Sequence, residues 1–212
     1  MDTIEVQCPK CTHVLRVPKR YLGSRGTCNH CGKLVEIVLP AAPHEDPLAQ
    51  LNEHVAKAGT PETILQGALH ALYSAQTLTP LRMEPAWCIA FLADHETQQL
   101  HLVCARGCSS ARFLEQESVV PFGQCLCGQT ALSGEVLVAE NYLEDPRRVR
   151  GWLGMGGRGL YAIPLKSGES VLGVIALCVA QKGTQWHLPF LTELGKNVGN
   201  RLHTAQQTVA SE

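Results

Sequence analysis

From residue 86 onward, large and small side chains alternate. Trp87, Ile89 and Phe91 are interleaved with the smaller Cys88 and Ala90, the period-two pattern of a half-buried strand over 86–93. The polar stretch Asp94–Gln99 predicts a hairpin loop, and Leu100–Arg106 the returning antiparallel strand. A short strand is expected over 135–139. Residues 160–165 and 171–179 should form a second hairpin across the turn 166–170. Nearly every position from Val171 to Val179 is apolar, which predicts a central strand covered on both faces. Elsewhere the spacing is three and four. Leu48, Leu51, Val55 and Ala58 make a narrow seam, whereas Ile64, Leu65, Ala68, Leu69, Leu72 and Ala75 make a stripe wide enough to lie on a sheet. Asp46-Pro47 and Thr60-Pro61-Glu62 supply the starts of those two helices. Asp145-Pro146-Arg147 reads as a further helix start, and Leu191, Leu194, Val198 and Leu202 mark a closing helix. The pattern predicts an α+β fold, an antiparallel sheet flanked by helices.

The first forty residues follow a different rule. Cys8-Pro-Lys-Cys11 and Cys28-Asn-His-Cys31 form a C-x2-C-x16-C-x2-C pattern, a spacing that suits a structural zinc site. Each C-x-x-C turn brings two sulfurs to one tetrahedral ion, and Gly32 lets its turn close with positive φ. A rubredoxin-like iron site or two redox pairs are the alternatives. So short a stretch buries too little apolar surface to fold unaided, so the metal must supply stability. Strands are expected at 14–17, 26–28 and 34–38. The segment Ile4–Ile37, with Val17-Pro18 and Gly23, resembles the short zinc-ribbon modules of bacterial proteins. The expected organisation is a zinc ribbon over 1–39, a linker with a short helix over 40–60, a larger domain over 61–206 and a tail over 207–212. Three prolines in the nine residues 39–47 mark the linker.

Charge narrows the partners. The 212-residue chain carries a formal net charge of −1 with 17% charged residues, which gives no whole-molecule drive toward nucleic acid or anionic lipid. Residues 1–39 hold six basic and three acidic side chains. Four thiolates and one Zn²⁺ reduce the ribbon to about +1. Arg16, Lys19, Arg20 and Arg25 could form a basic stripe, but Tyr21 is the one aromatic residue beside it, too few for base stacking. A protein-docking or purely structural ribbon is therefore favoured over a nucleic-acid one. The longest apolar run, Val171–Ala180, is about half a membrane span, and no secretory leader is expected from Met-Asp-Thr-Ile-Glu. Ten cysteines without such a leader point to a reducing, cytoplasmic setting with metal-bound and free thiols.

Two of those thiols, Cys125 and Cys127, lie in Val120–Gly134, where a strand breaks at Gly123 and a helix begins. Unpaired N–H groups at a helix start favour an anion or a thiolate. A pocket is expected between the sheet and segments 122–134 and 140–159, with Cys125, Cys127, Trp152 and Arg158 as its contacts. Gly154–Gly159 spells G-x-G-x-x-G, but a strand follows it, so it reads as a loop over the pocket and not as a dinucleotide site. Cys88, Cys104, Cys108 and Cys178 fall on strands or strand ends and read as buried small hydrophobes. A second metal centre from Cys104, Cys108, Cys125 and Cys127 is the competing idea. No acid–base pair marks a hydrolase.

Three segments carry a resemblance to the GAF domain family of small-molecule and redox sensors. They are Gly123-x-Cys-Leu-Cys-Gly128 with Ala131 and Gly134, Val138–Pro146, and Leu160-Tyr-Ala-Ile-Pro-Leu165 followed by Gly168-Glu and Leu172–Leu177. Asn141 stands where members often carry Asp. The resemblance covers about Pro61 to Ala205 and implies a signalling sensor or adaptor, not an enzyme, with an unknown small ligand in its pocket and the ribbon docking a protein partner. It also implies two alternatives to weigh. GAF-type free methionine-R-sulfoxide reductases share Cys127-Gly128, but Glu117 stands where they use an upstream cysteine, and residues 128–159 lack a further one. The other alternative is a zinc-ribbon transcription regulator. The leucine seam suggests a homodimer through helices 47–58, 61–78 and 188–204.

Overall fold

The computed structural model describes residues 3–8, 10–11, 13–21, 24–37, 47–56, 59–73, 78, 83–108, 110–149 and 157–210. The chain divides into two compact units, Met1–His44 and Glu45–Glu212.

The first unit is a pair of antiparallel hairpins. β1 (Thr3–Gln7) pairs with β2 (Val14–Pro18), and β3 (Arg25–Thr27) with β4 (Leu34–Glu36). β1 was not expected, although Thr-Ile-Glu-Val-Gln alternates as a strand does. Its core is Val6, Val35 and Ile37 around the buried Cys8 and Cys28.

The second unit begins with α1 (Pro47–Ala56) and α2 (Pro61–Tyr73). Thr60 starts α2 through a reciprocal pair: the Thr63 N–H donates to its Oγ1 (3.3 Å) and its own N–H donates to Thr63 Oγ1 (3.0 Å). β5 (Pro85–Asp94) and β6 (Gln99–Arg106) form the expected hairpin. Then come α3 (Ala111–Gln116), β7 (Val119–Pro121), α4 (Cys125–Ser133) and β8 (Leu137–Ala139). β9 (Gly159–Ser167), β10 (Ser170–Val179) and α5 (Leu188–Ala210) complete the unit. The sheet runs β7-β6-β5-β10-β9-β8, antiparallel throughout. β10 is central, as its unbroken apolar run requires.

Alternation sorts the sheet residues into two cores. Cys88, Ala90, Tyr161, Ile163, Leu165, Ile175, Leu177 and Val179 meet α1, α2 and α5. Ile89, Phe91, Leu160, Ala162, Val174, Ala176 and Cys178 face the other way, toward α3 and α4. That second face holds the candidate site.

Three expectations change. α1 is no mere linker helix, because Leu51 and Val55 are fully buried against α2 and α5. Its seam is used within the chain, which removes the reason for reading it as a dimer contact. Asp145 starts no helix among the described residues: its carboxylate is occupied by the Arg147 guanidinium (2.6 and 2.9 Å) and by the Arg147 N–H (2.9 Å). α3 went unpredicted because six residues are too short to show a period; Ser110 caps it by accepting the Phe113 N–H (3.3 Å). No described helix is long and apolar enough to cross a membrane.

Candidate functional site

In the ribbon, two equivalent turns present the cysteines. The Cys8 N–H donates to the His13 carbonyl (2.9 Å) and the Cys28 N–H to the Lys33 carbonyl (2.8 Å), so each C-x-x-C closes on the residue five positions after its first cysteine. Gly32 has φ +69°, as the turn demands. The four sulfurs lie within 4.8 Å of one another and could hold a metal ion. Cys8 Sγ is 3.6 Å from Cys31 Sγ, and Cys11 Sγ is 3.8 Å from Cys28 Sγ. His13 and His30 stack with centroids 5.0 Å apart, outside this sulfur set. Among the described residues this is the one such group. A second centre including Cys104 is not formed: Cys104 packs toward the helix-covered core, while Cys108, Cys125 and Cys127 pack into the opposite one.

The second site is the corner before α4. The chain leaves β7, turns at Gly123, and enters the helix through Gln124, whose side chain makes no capping hydrogen bond. Cys125 then adopts φ +47°, one of two positive-φ non-glycine residues among those described. This conformation brings its sulfur back over the first turn, where the thiol of Cys127 and the backbone N–H groups of Gly128 and Cys127 donate to it. The Cys127 N–H is one of the helix-start donors that the Gln124 side chain leaves open, whereas the Gly128 N–H also donates to the Gln124 carbonyl (3.0 Å). Gly128 is required here for space, since a Cβ would lie 2.3 Å from the Pro121 carbonyl oxygen.

These contacts split the pair. The donated Cys127 S–H, followed by the two backbone donors, outweighs burial and lowers the Cys125 pKa to about 7. Cys127, the donor, is raised well above the ordinary thiol value, with burial and the nearby Cys125 and Glu117 charges acting the same way. Of the two, Cys125 is the one that ionises first.

Beneath Cys125 lies a small cavity of about 20 Å³ walled by Trp87, Ile89, Phe113, Leu126, Leu160 and Ala176, with Glu117, Cys125, Cys127 and Tyr142 also lining it. A second hollow, of about 30 Å³, is lined by Glu117, Cys125 and Tyr142 together with Val120, Gln124 and Val149. Glu117, Cys125 and Tyr142 therefore stand at the neck between an apolar chamber and a vestibule. Trp87 and Phe113 meet edge to face, centroids 5.2 Å apart at 61°. Burial first, then the Glu117 charge, raises the Tyr142 phenol.

Of the four expected pocket residues, Cys125 and Cys127 line the cavity. Arg158 does not: its carbonyl accepts the Tyr142 N–H (2.9 Å), and its guanidinium bonds the Cys178 thiol. Trp152 lies outside the described residues. Sequence reasoning missed Trp87, Phe113, Glu117 and Tyr142 as pocket residues. The available signal was the parity of Trp87 with Ile89, which sets both on one face. Asn141 is a structural cap, its Oδ1 accepting the Leu143 N–H (3.3 Å).

Helices and an antiparallel six-stranded sheet around a pocket at this corner match a known family along most of the chain: residues 60–203 fit the GAF domain. The chain belongs to the GAF domain family. Among curated proteins, none matches it in sequence. Among solved structures, this GAF protein is similar to the free methionine-R-sulfoxide reductase of Neisseria meningitidis bound to its substrate. The TM-score is 0.62 at 20% identity, over 76% of this chain and 89% of that one. It is also similar to the GAF domain of a phosphoenolpyruvate-protein phosphotransferase from Coxiella burnetii (TM-score 0.62, 18% identity, 77% and 95% covered). A methyl-accepting chemotaxis protein fragment is a third (TM-score 0.58, 14% identity, 75% and 98% covered). At these identities the likeness concerns the fold. The neighbours span sensors and reductases alike.

Proposed function

We propose that this protein is a regulatory sensor whose GAF pocket reports a small molecule or an oxidant through Cys125, with the ribbon as its docking module. The observation that carries this reading is the setting of Cys125. Its sulfur is stabilised by Cys127 and two backbone N–H groups at the neck of a cavity, the setting that makes one cysteine reactive among several inert ones. Burial holds Cys88 and Cys178 near 12 and Cys104 near 11. Mass-spectrometric mapping of iodoacetamide labelling against pH tests it. Cys125 should alkylate first, with an inflection near pH 7 that Cys125→Ser removes. Labelling no faster than at Cys104, with an inflection near 9, would overturn the reading.

Zinc is the metal that suits the ribbon quartet. Zn–S bonds of about 2.3 Å in a tetrahedron set sulfur–sulfur edges of about 3.8 Å, and the 3.6 and 3.8 Å separations fit. Its role is structural, since four thiolates leave no open position. Val14, Tyr21 and Leu34 are exposed large apolar side chains on the ribbon, and they support a protein partner for it.

A reductase reading is favoured by the fold neighbours that reduce methionine sulfoxide. Against it, Glu117 and not a further thiol lines the hollow with Cys125 and Cys127. Incubation with methionine sulfoxide, thioredoxin, thioredoxin reductase and NADPH separates the two: a sensor gives no steady consumption of NADPH, and a reductase does.

A further inference from the structure

The geometry points to a second metal site, a two-coordinate clamp for one soft monovalent ion, copper(I), between the sulfurs of Cys125 and Cys127. It rests on the reading of Cys125 as the reporting sulfur and names what that sulfur reports.

Both cysteines stand on the first turn of α4, a nine-residue helix, and the Cys127 S–H donates to the Cys125 sulfur. A proton held between two sulfurs marks the place for a larger cation with the same demand. Copper(I), a closed-shell ion, is satisfied by two thiolates in line, and soft sulfur ligands select it over hard cations. Loading exchanges protons for metal. The Cys127 proton, and the Cys125 proton where the thiol still holds one, pass to solvent; two Cu–S bonds form, and no electron is transferred. The copper dithiolate carries one negative charge. That charge falls where the N–H groups of Cys127 and Gly128 point at sulfur and where the positive end of the helix dipole lies.

The surroundings select the ion. The hollow that both cysteines line measures about 20 Å³, room for one water or one bare ion and not for an organic ligand. Its apolar walls, Trp87, Phe113 and Leu126 among them, replace none of the oxygen ligands that magnesium or calcium requires. Zinc needs four donors. Among the described residues, the one group of three or more ligand atoms within 4.8 Å of one another is the ribbon quartet. Glu117 lines the hollow but does not join the two sulfurs in such a group. The corner is therefore a two-donor site, which zinc would fill only halfway and copper(I) fills completely.

The test uses the full-length protein, incubated with zinc to load the ribbon and then kept anaerobic. Copper(I) is added from a bicinchoninate complex that buffers the free ion, and released zinc is followed with a chromophoric chelator. The first equivalent of copper should bind without releasing zinc. It should protect Cys125 and Cys127, but not Cys104, from iodoacetamide, and X-ray absorption should show two sulfur neighbours around it. In Cys127→Ser, confirmed as folded by circular dichroism, the first equivalent should bind at least ten-fold more weakly than in the wild type or displace zinc from the outset. Zinc release by the first equivalent in the wild type, three or four sulfur neighbours, or unchanged copper affinity in Cys127→Ser overturns the proposal. The reactive-thiol reading has its own readout in the copper-free labelling curve. An early-labelling Cys125 whose reactivity copper leaves unchanged sinks this inference alone.

Discussion

Cys125 combines two unusual properties, a left-handed backbone and a stabilised sulfur, and they can be separated by experiment. A non-glycine residue at φ +47° carries strain on the order of 1–2 kcal/mol. At pH 6 the thiol is protonated in folded and unfolded chains alike, so ionisation contributes nothing there. Cys125→Gly should then be more stable than Cys125→Ser by about 1 kcal/mol in urea unfolding. Raising the pH exposes the second property. The folded pKa, near 7, lies below the unfolded value of about 8.5. Between those values the unfolded chain keeps a proton that the folded chain has lost, so stability rises with pH. Wild type should therefore gain on Cys125→Ser from pH 6 to pH 8.5, by about 2 kcal/mol at most. A gap that stays constant would mean that the sulfur is not ionised in the fold. Buried Cys88 and Cys178, both pushed up to about 12, act in the opposite sense above pH 8.5, which is why the comparison is made against a variant.

At the scale of elements, periodicity was informative wherever an element was long. The β5–β6 and β9–β10 hairpins, α2 and the closing helix were legible because eight or more residues display a period. Short elements were less so: α3, with six residues, showed no period, and β8, expected over 135–139, has three residues, its bounds fixed by its neighbours more than by its own pattern. Glu117 escaped notice as a pocket residue for the same reason, because only the end of α3 brings it to the neck. Cys125 and Cys127 were legible, since cysteines flanking a predicted helix start are a chemical signal independent of length. α1 shows the limit from the other side. Its narrow seam was visible, but nothing in the sequence says whether a seam meets another copy or its own chain. Burial decides it, and Leu51, at 0% exposure, supplies the test. Leu51→Ala should destabilise the Glu45–Glu212 unit by about 2–5 kcal/mol, the cost of a large-to-small change in a packed core. A change below 0.5 kcal/mol in thermal or urea unfolding would return α1 to the linker.

For the molecule as a whole, the decisive fact is that its cores are assembled by different means. Val6, Val35 and Ile37 with four cysteines form the ribbon core. Few apolar side chains are buried there, so the ordering entropy of some forty residues is not met by burial alone. The larger unit buries long apolar side chains on both faces of its sheet and needs no ion. Removing metal should consequently unfold one unit and spare the other. A strong chelator, or Cys28→Ser, should abolish slow amide exchange across β1–β4, while the thermal midpoint of the β5–β10 sheet stays within about 2 °C, less than the shift expected from 1 kcal/mol in a domain of this size. Cobalt added to the metal-free chain should restore the protection and produce the visible absorption of a tetrahedral thiolate centre. If β1–β4 keep their protection in chelator, the four sulfurs are a packed cluster and the ribbon stands on its own hydrogen bonds. If the sheet midpoint falls as well, the metal is stabilising more than the lobe that holds it.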